Sequence, residues 1–341
     1  MKGSMQAAVV YGKGDVRVES VEIPSIREDE VLVKIIYASI CPSDMRYYLG
    51  TKEVKEPMIL GHEASGVVAK VGGKVNKFKV GDKVVVNSDY KCGKCYYCKR
   101  GLQNFCENQI TSDGCFAQYK AVPVKSLYHM TDETDMLEAS CTEPLACVLN
   151  GSGRANIKLG STVAIVGAGP IGLMHLQVAK LKGASRIIVF EPIDSRREMA
   201  LELGATEVYP VFNEEVLSII NDSTDSLLCD SVIVTIGVPA VMEDVVDLVG
   251  NNGTLLYFAG VHPHKLIGID PNIIHYRQIL ITGSSDYPLE YFETALNLIS
   301  KKQIQIRPII SDIFPIGEAE KAFENIVNKK ALKTVIKMFD E

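Results

Sequence analysis

The sequence predicts an α/β fold built around a doubly wound parallel sheet, with a second domain attached. Three observations predict it. At 341 residues the chain is too long for one small core, so two domains are expected. From residue 161 onward, strand-like and helix-like patterns alternate, the order that gives a parallel sheet. Between the first such strand and the first such helix stands a G-x-G-x-x-G turn.

The strand before that turn is the β-branched run at 162–166. Gly167, Gly169 and Gly172 form the turn, with Ala168, Pro170 and Ile171 between them. The first glycine permits the tight turn, the second lets backbone approach a pyrophosphate, and the third lets helix and strand pack closely. A helix is expected over 170–182, and its N-terminus would hold the phosphates. "RIIVFE" is the next strand and ends in Glu191, 19 residues after Gly172. A carboxylate there is placed to accept hydrogen bonds from both adenosine ribose hydroxyls. It would also repel a 2′-phosphate, so NAD is expected over NADP. Arg196 and Arg197 follow closely and either soften that preference or are solvated helix charges. Strands at 231–237, 253–260 and 278–284 and a helix from about 239 continue the alternation.

Ahead of this region, "VLVKIIYAS" alternates as a strand and runs into Cys41. Four of the nine cysteines fall in "CGKCYYCKRGLQNFC": Cys92, Cys95, Cys98 and Cys106. The N-terminal "MKGSMQAAVV" has no long apolar stretch and no cleavage pattern, so a cytoplasmic, reducing location is expected. Clustered cysteines there hold metals more often than they form disulfides. Four thiolates close a tetrahedral shell around zinc and leave no coordination position for substrate, so this metal would be structural. Metal chemistry would need a second, mixed shell. Cys41 in "ICPSD", His62 and Glu63 in "LGHEASG" and Glu143 in "CTEPLA" are the candidates. Each alone is more often a packed core residue, and spacing does not bring them together.

Composition narrows the function classes. Hydrophobic residues make up 47% and charged residues 23% of the chain, an ordinary globular balance. The net charge of −6 and pI near 5.7 argue against nucleic acid as a partner. The chargeless run 161–179 matches a membrane span in length but carries Gly-x-Gly-Pro, Ser, Thr, His and Gln, so no membrane partner is expected.

"ICPSD", "GHEASGVVAKVG", "VGDKVVV", the four-cysteine run, "CTEPLA", "VGAGPIG" and "RIIVFE" occur in one order along nearly the whole chain. In that series the chain resembles the zinc-dependent medium-chain alcohol dehydrogenases. "GHE" and "EPLA" place it near the sorbitol, iditol, idonate and threonine dehydrogenase branch. The resemblance implies a GroES-like, β-rich catalytic domain over 1–151 and 287–341. It implies a Rossmann NAD-binding domain over 152–286 and an active site in the cleft between them. It implies two zinc ions per chain, one catalytic and one structural, and a homodimer or homotetramer. Cys41 and His62 would ligate the catalytic zinc, Glu63 could ligate directly, and Glu143 would bind directly or through water. The implied reaction is reversible oxidation of a small secondary alcohol to a ketone, with hydride passing to the nicotinamide and Ser43 as the first proton carrier.

Two departures bear on substrate. Relatives read C-G-[ST]-D-x-H where this chain reads "CPSDMR", so Arg46 stands at the relay histidine. A guanidinium stays charged and cannot shuttle a proton; protons then leave through water, or Arg46 serves an anion or the cofactor phosphates. Polyol members carry a basic residue near "TGSSDYP", where this chain has Asp286 and Tyr287. Asp286 is expected either to accept bonds from substrate hydroxyls or an amine, or to be a loop acid or a cap of the following helix. Tyr47 is a candidate to line the substrate site. The alternatives are an L-threonine-type dehydrogenase and a non-catalytic nucleotide-binding protein on the same scaffold.

Overall fold

The computed structural model describes residues 3–328 and 331–339. The chain forms two compact units, Met1–Pro144 with Pro288–Glu341, and Leu145–Tyr287.

The second unit holds a six-stranded sheet whose pairings are all parallel. Across the sheet the strands are Glu207–Tyr209, Arg186–Phe190, Thr162–Val166, Cys229–Val234, Val249–Tyr257 and Leu280–Gly283. Counted along the chain from Thr162–Val166, that order is 3-2-1-4-5-6, the doubly wound arrangement. Val163, Ala164, Ile165 and Val166 are all buried, as a strand covered on both faces requires. Val249–Tyr257 starts ahead of the expected 253 because "VGNN" has no apolar alternation to announce it. Glu207–Tyr209 has no counterpart in the sequence reading: it is three half-buried residues at the sheet edge. The chain enters this unit inside the helix Thr142–Arg154, upstream of 151, because the residues beyond that helix are tied to the sheet. Ser231 Oγ, for instance, donates to the Ala155 carbonyl at 2.6 Å.

The first unit is built on a seven-stranded sheet. Its path runs Leu127–His129, Lys83–Asn87, Glu63–Val71, Glu30–Ser39, Lys333–Lys337 and Ile310–Pro315, and Tyr119–Pro123 pairs beside Glu30–Ser39. A smaller sheet of Asp15–Glu22, Ser4–Gly12 and Met58–Ile59 completes it. The return segment supplies core as well as strands. Helix Ala319–Val327 buries Ala319, Ala322 and Phe323, spaced as one helix face. Phe323 meets Phe116 edge-on at 5.9 Å. Among the described residues, no helix is long and apolar enough to cross a membrane.

Candidate active site and metal centres

The strand register of the first unit builds the mixed donor set. Ser39 is paired opposite Glu63, and Val335 opposite Ser39 on the other side. Three neighbouring strands therefore end together. Cys41 follows the first of them and opens the helix Pro42–Tyr48. His62 directly precedes the strand Glu63–Val71. Gly61 before it has φ +91°, and a Cβ there would come within 2.6 Å of the Phe116 ring. Only glycine lets the chain turn this close to the core and still present His62. One donor atom each from Cys41, His62 and Glu63 lies within 4.8 Å of the others. Glu143, half-buried at the start of the helix Thr142–Arg154, is not part of that cluster.

The surrounding groups hold these donors in place. His62 Nδ1 faces two carboxylates, Asp44 at 3.5 Å and Asp113 at 3.6 Å. Asp44 also accepts the backbone N–H of Cys41 at 2.9 Å, so one buried acid orients two donors. Burial opposes a charged imidazole, but the nearby Asp44 carboxylate and bonds to Asp113, Asp44 and Cys41 raise the His62 pKa well above its ordinary value. Burial and the Glu63 charge raise that of the Cys41 thiol. Glu63 is fully buried. Its Oε2 meets Lys333 Nζ at 2.6 Å and accepts from Ser39 Oγ. Its Oε1 has no hydrogen-bond partner. A buried carboxylate oxygen left open beside a thiol and an imidazole is suited to a cation, and thiol, imidazole and carboxylate together are a zinc set.

Sequence reading did not single out Ser39, Asp44, Asp113 or Lys333. Asp44 stands inside "ICPSD", within one helical turn of Cys41. Lys333 had no local signal: it donates to the Ile40 carbonyl from 293 residues along the chain, and only strand pairing brings it there.

The four sulfurs of the cysteine lobe converge. All four sulfurs lie within 4.8 Å of one another, with Cys92–Cys98 at 3.9 Å and Cys95–Cys106 at 4.0 Å. A zinc tetrahedron with bonds of about 2.3 Å has edges of about 3.8 Å. No disulfide forms among the described residues. Backbone N–H groups of Lys94 and Cys95 point at Cys92 Sγ and pull its pKa down to about 6, which favours the thiolate a metal needs.

The glycine loop of the second unit is tight at two of its glycines and open at the third. Gly167 has φ +101°, and a Cβ on Gly172 would lie 1.8 Å from the Gly167 carbonyl oxygen. A Cβ on Gly169 would meet nothing within 4 Å, so space remains where a phosphate would approach. Gly169, Pro170 and Ile171 are half-buried between buried neighbours, and Gly169 caps the helix Pro170–Leu181. Glu191 closes the strand end with a second task. Its Oε2 accepts from Ala168 N at 2.9 Å and its Oε1 from Ile193 N at 3.1 Å, fixing the loop. Each oxygen keeps a second lone pair for a ribose hydroxyl. Arg196 is half-buried in the next helix, Asp194–Leu203.

The remaining candidates are more peripheral. Ser43 is exposed on the helix Pro42–Tyr48. Tyr47 packs partly against the core of the first unit and carries Lys52 Nζ at 4.4 Å from its ring centroid. Asp286 adopts φ +55°, and its Oδ1 accepts the N–H of Tyr287 at 2.7 Å. It does not cap the following helix: Pro288 is the N-cap of Leu289–Ser300. The cap reading is corrected, because Pro288 sets the helix entry two residues later than a cap at 286 would.

A doubly wound dinucleotide sheet, an open thiol–imidazole–carboxylate set and a closed four-thiol site define the class: a metal-assisted, dinucleotide-dependent oxidoreductase. Comparison with known proteins agrees. Residues 27–132 match the alcohol dehydrogenase GroES-like domain, and residues 170–301 match the zinc-binding dehydrogenase domain. The chain is 31% identical to sorbitol dehydrogenase of Bacillus subtilis over 336 residues, 96% of this chain and 95% of the relative. It is 33% identical to L-threonine 3-dehydrogenase of Caldanaerobacter subterraneus over 349 residues, 98% and 99% of the two chains. A solved structure from Sinorhizobium meliloti 1021, assigned to the zinc-binding dehydrogenases and bound to NADP, superposes with a TM-score of 0.92. It has 30% identity and covers 98% of this chain and 99% of that one. The chain belongs to the zinc-type medium-chain alcohol dehydrogenase family, and it is an enzyme with the GroES-like and Rossmann folds of that family.

Proposed function

We propose that this enzyme reversibly oxidises a secondary alcohol in a polyol, sugar alcohol or sugar acid to the ketone, using zinc and NAD. The observation that carries the reading is the Cys41, His62 and Glu63 cluster with the open Glu63 Oε1. A non-catalytic scaffold has no reason to keep these donors oriented around a buried carboxylate. Zinc supplies Lewis acidity that makes a bound hydroxyl acidic near neutral pH, and NAD accepts the hydride. Cys41, His62 and Glu63 hold that zinc, and Glu143 serves it directly or through water. Asp44 and Asp113 orient His62, and Lys333 balances the Glu63 charge. Ser43 is the first carrier of the released proton; water takes it on, because the Arg46 guanidinium stays protonated. Cys92, Cys95, Cys98 and Cys106 hold a second, structural zinc. Gly167, Gly169, Pro170, Ile171 and Gly172 receive the pyrophosphate, with Glu191 on the ribose and Arg196 beside it. Tyr47 and Asp286 contact substrate. Residues 1–151 and 287–341 serve as the catalytic domain and 152–286 as the NAD domain. The enzyme works in the cytoplasm as a homodimer or homotetramer.

The likeness to sorbitol dehydrogenase supports the polyol reading. The threonine alternative would give Asp286 an ammonium group to bind. The test is NAD reduction by the zinc-loaded protein across polyols, sugar acids, simple secondary alcohols and L-threonine, with NADP as control. Turnover on a polyol or sugar acid is expected. Turnover on L-threonine alone would replace this reading with the alternative. No turnover on any member, with two zinc ions and NAD bound, would reject the substrate class.

A further inference from the structure

We infer that Arg46 is an anion receptor that selects substrates bearing a carboxylate or a phosphate ester at a fixed distance from the oxidised carbon. The inference rests on the dehydrogenase reading above and specifies its substrate class.

The helix Pro42–Tyr48 has two faces. Asp44, Met45 and Tyr48 are buried in the unit. Ser43, Arg46 and Tyr47 are spaced i, i+3 and i+4, so they share the other face. That face begins two residues from the metal donor Cys41. Arg46 lies five residues past Cys41, about 7.5 Å along a helix axis, which is the scale of a short sugar chain.

The guanidinium is unpaired. Among the described residues, Arg46 makes no side-chain hydrogen bond and no ion pair, and its Nε is sealed from solvent without an acceptor. The nearest acid on the helix, Asp44, is committed to Cys41 N and His62. A charged donor sheltered and left without a partner is costly, and native structures seldom keep one without a use. The residue is also pre-positioned. Its carbonyl accepts from Thr51 N at 2.9 Å and Lys52 N at 3.0 Å, which pins the backbone from which the side chain leaves. Lys52 Nζ sits over the adjacent Tyr47 ring and adds positive potential to the same face. A planar, always charged fork matches a carboxylate or a phosphate in two parallel hydrogen bonds, which a neutral hydroxyl cannot do.

The experiment uses the zinc-loaded full chain at saturating NAD with a matched set: a neutral hexitol, its terminal phosphate ester, and the sugar acid of equal length. The wild type is expected to prefer one anionic member. In Arg46→Gln the anionic-to-neutral ratio of kcat/KM should fall roughly ten- to hundredfold, the loss expected for a charge-assisted pair. The fall should appear in KM, and Arg46→Lys should restore part of it. The ester and the acid separate the two sources of the anion. An unchanged ratio in Arg46→Gln overturns the inference and leaves the dehydrogenase reading standing. So does a tenfold weaker NAD affinity with an unchanged ratio, which would assign the guanidinium to the cofactor phosphates. If no member is oxidised, inorganic phosphate is titrated calorimetrically into the NAD-loaded proteins. Binding lost in Arg46→Gln sustains the anion receptor, and equal binding overturns it.

Discussion

Glu63 and Lys333 face each other at 2.6 Å with 0% and 5% of their side chains exposed. Removing one partner of such a pair leaves the other charge buried, which costs about 3–5 kcal/mol. Lys333→Ala should lose about that much stability in urea unfolding of the metal-free protein. Combining it with Glu63→Gln should recover a large part, because the orphaned charge is gone. A loss of the same size in both variants would show that packing, not charge, is at stake. His62 gives the site its pH dependence. Its raised pKa means that in the metal-free protein the protonated form adds stability fully present below the unfolded value of about 6.5. That stability is lost as pH rises through the raised folded value. Zinc must displace the same proton, so its affinity should increase about tenfold per pH unit and per proton below that value. Competition with a chromophoric chelator between pH 6 and 8 measures the slope, and a flat profile would contradict it. These residues differed in how far the sequence revealed them. Cys41, His62 and Glu63 stood in short motifs with the right chemistry. Asp113 and Lys333 carry ordinary side chains in ordinary stretches, and only register makes them partners of His62 and Glu63.

At the scale of elements, the glycine turn and the cysteine lobe were legible because each packs its constraint into a few consecutive residues. The strand Thr162–Val166 matches the expected 162–166, and the helix Pro170–Leu181 ends one residue short of expectation. Glu207–Tyr209 left no trace because three edge residues make no period. Each legible element makes a prediction. Gly172→Ala forces a methyl group against the Gly167 carbonyl, so the helix must shift. NAD affinity should fall at least about tenfold, with a stability loss of about 1–3 kcal/mol. Fluorescence titration and thermal unfolding read the two effects, and unchanged NAD binding would mean the loop does not carry the pyrophosphate. The lobe has almost no apolar core: its buried cluster is Cys95, Cys98 and Cys106, with Cys92 and Tyr97 packed against it. Without metal it has little to hold its shape. Cys106→Ser should therefore drop native mass from two zinc ions per chain to one and open Lys94, Lys99 and Arg100 to trypsin. Retention of two ions would exclude the four-thiolate site.

The whole molecule divides its labour unevenly along the chain. The second unit is one continuous stretch, Leu145–Tyr287, whose strands pair only with each other. The first is interrupted, and its sheet is completed by the C-terminal strand Lys333–Lys337. Truncation after residue 328 removes Lys333 and the partner strand of Ser39. It should abolish zinc binding at Cys41 and His62 although every ligand remains, while NAD binding by the second unit persists. Metal analysis and NAD titration of the truncated chain test both halves of that statement. The two-domain plan could be read from the sequence because each domain has its own local grammar, periodic in one and motif-based in the other. The closing of the first unit by its distant end could not, since no pattern near Cys41 points to residue 333. That closure has a consequence for biosynthesis. While the polypeptide is still emerging from the ribosome, Cys41, His62 and Glu63 are made early, yet their charge-balancing lysine follows Glu63 by 270 residues. The nascent chain therefore carries reactive, unshielded metal-seeking groups until residue 333 has emerged, and faithful zinc loading waits for the strand Lys333–Lys337 to pair.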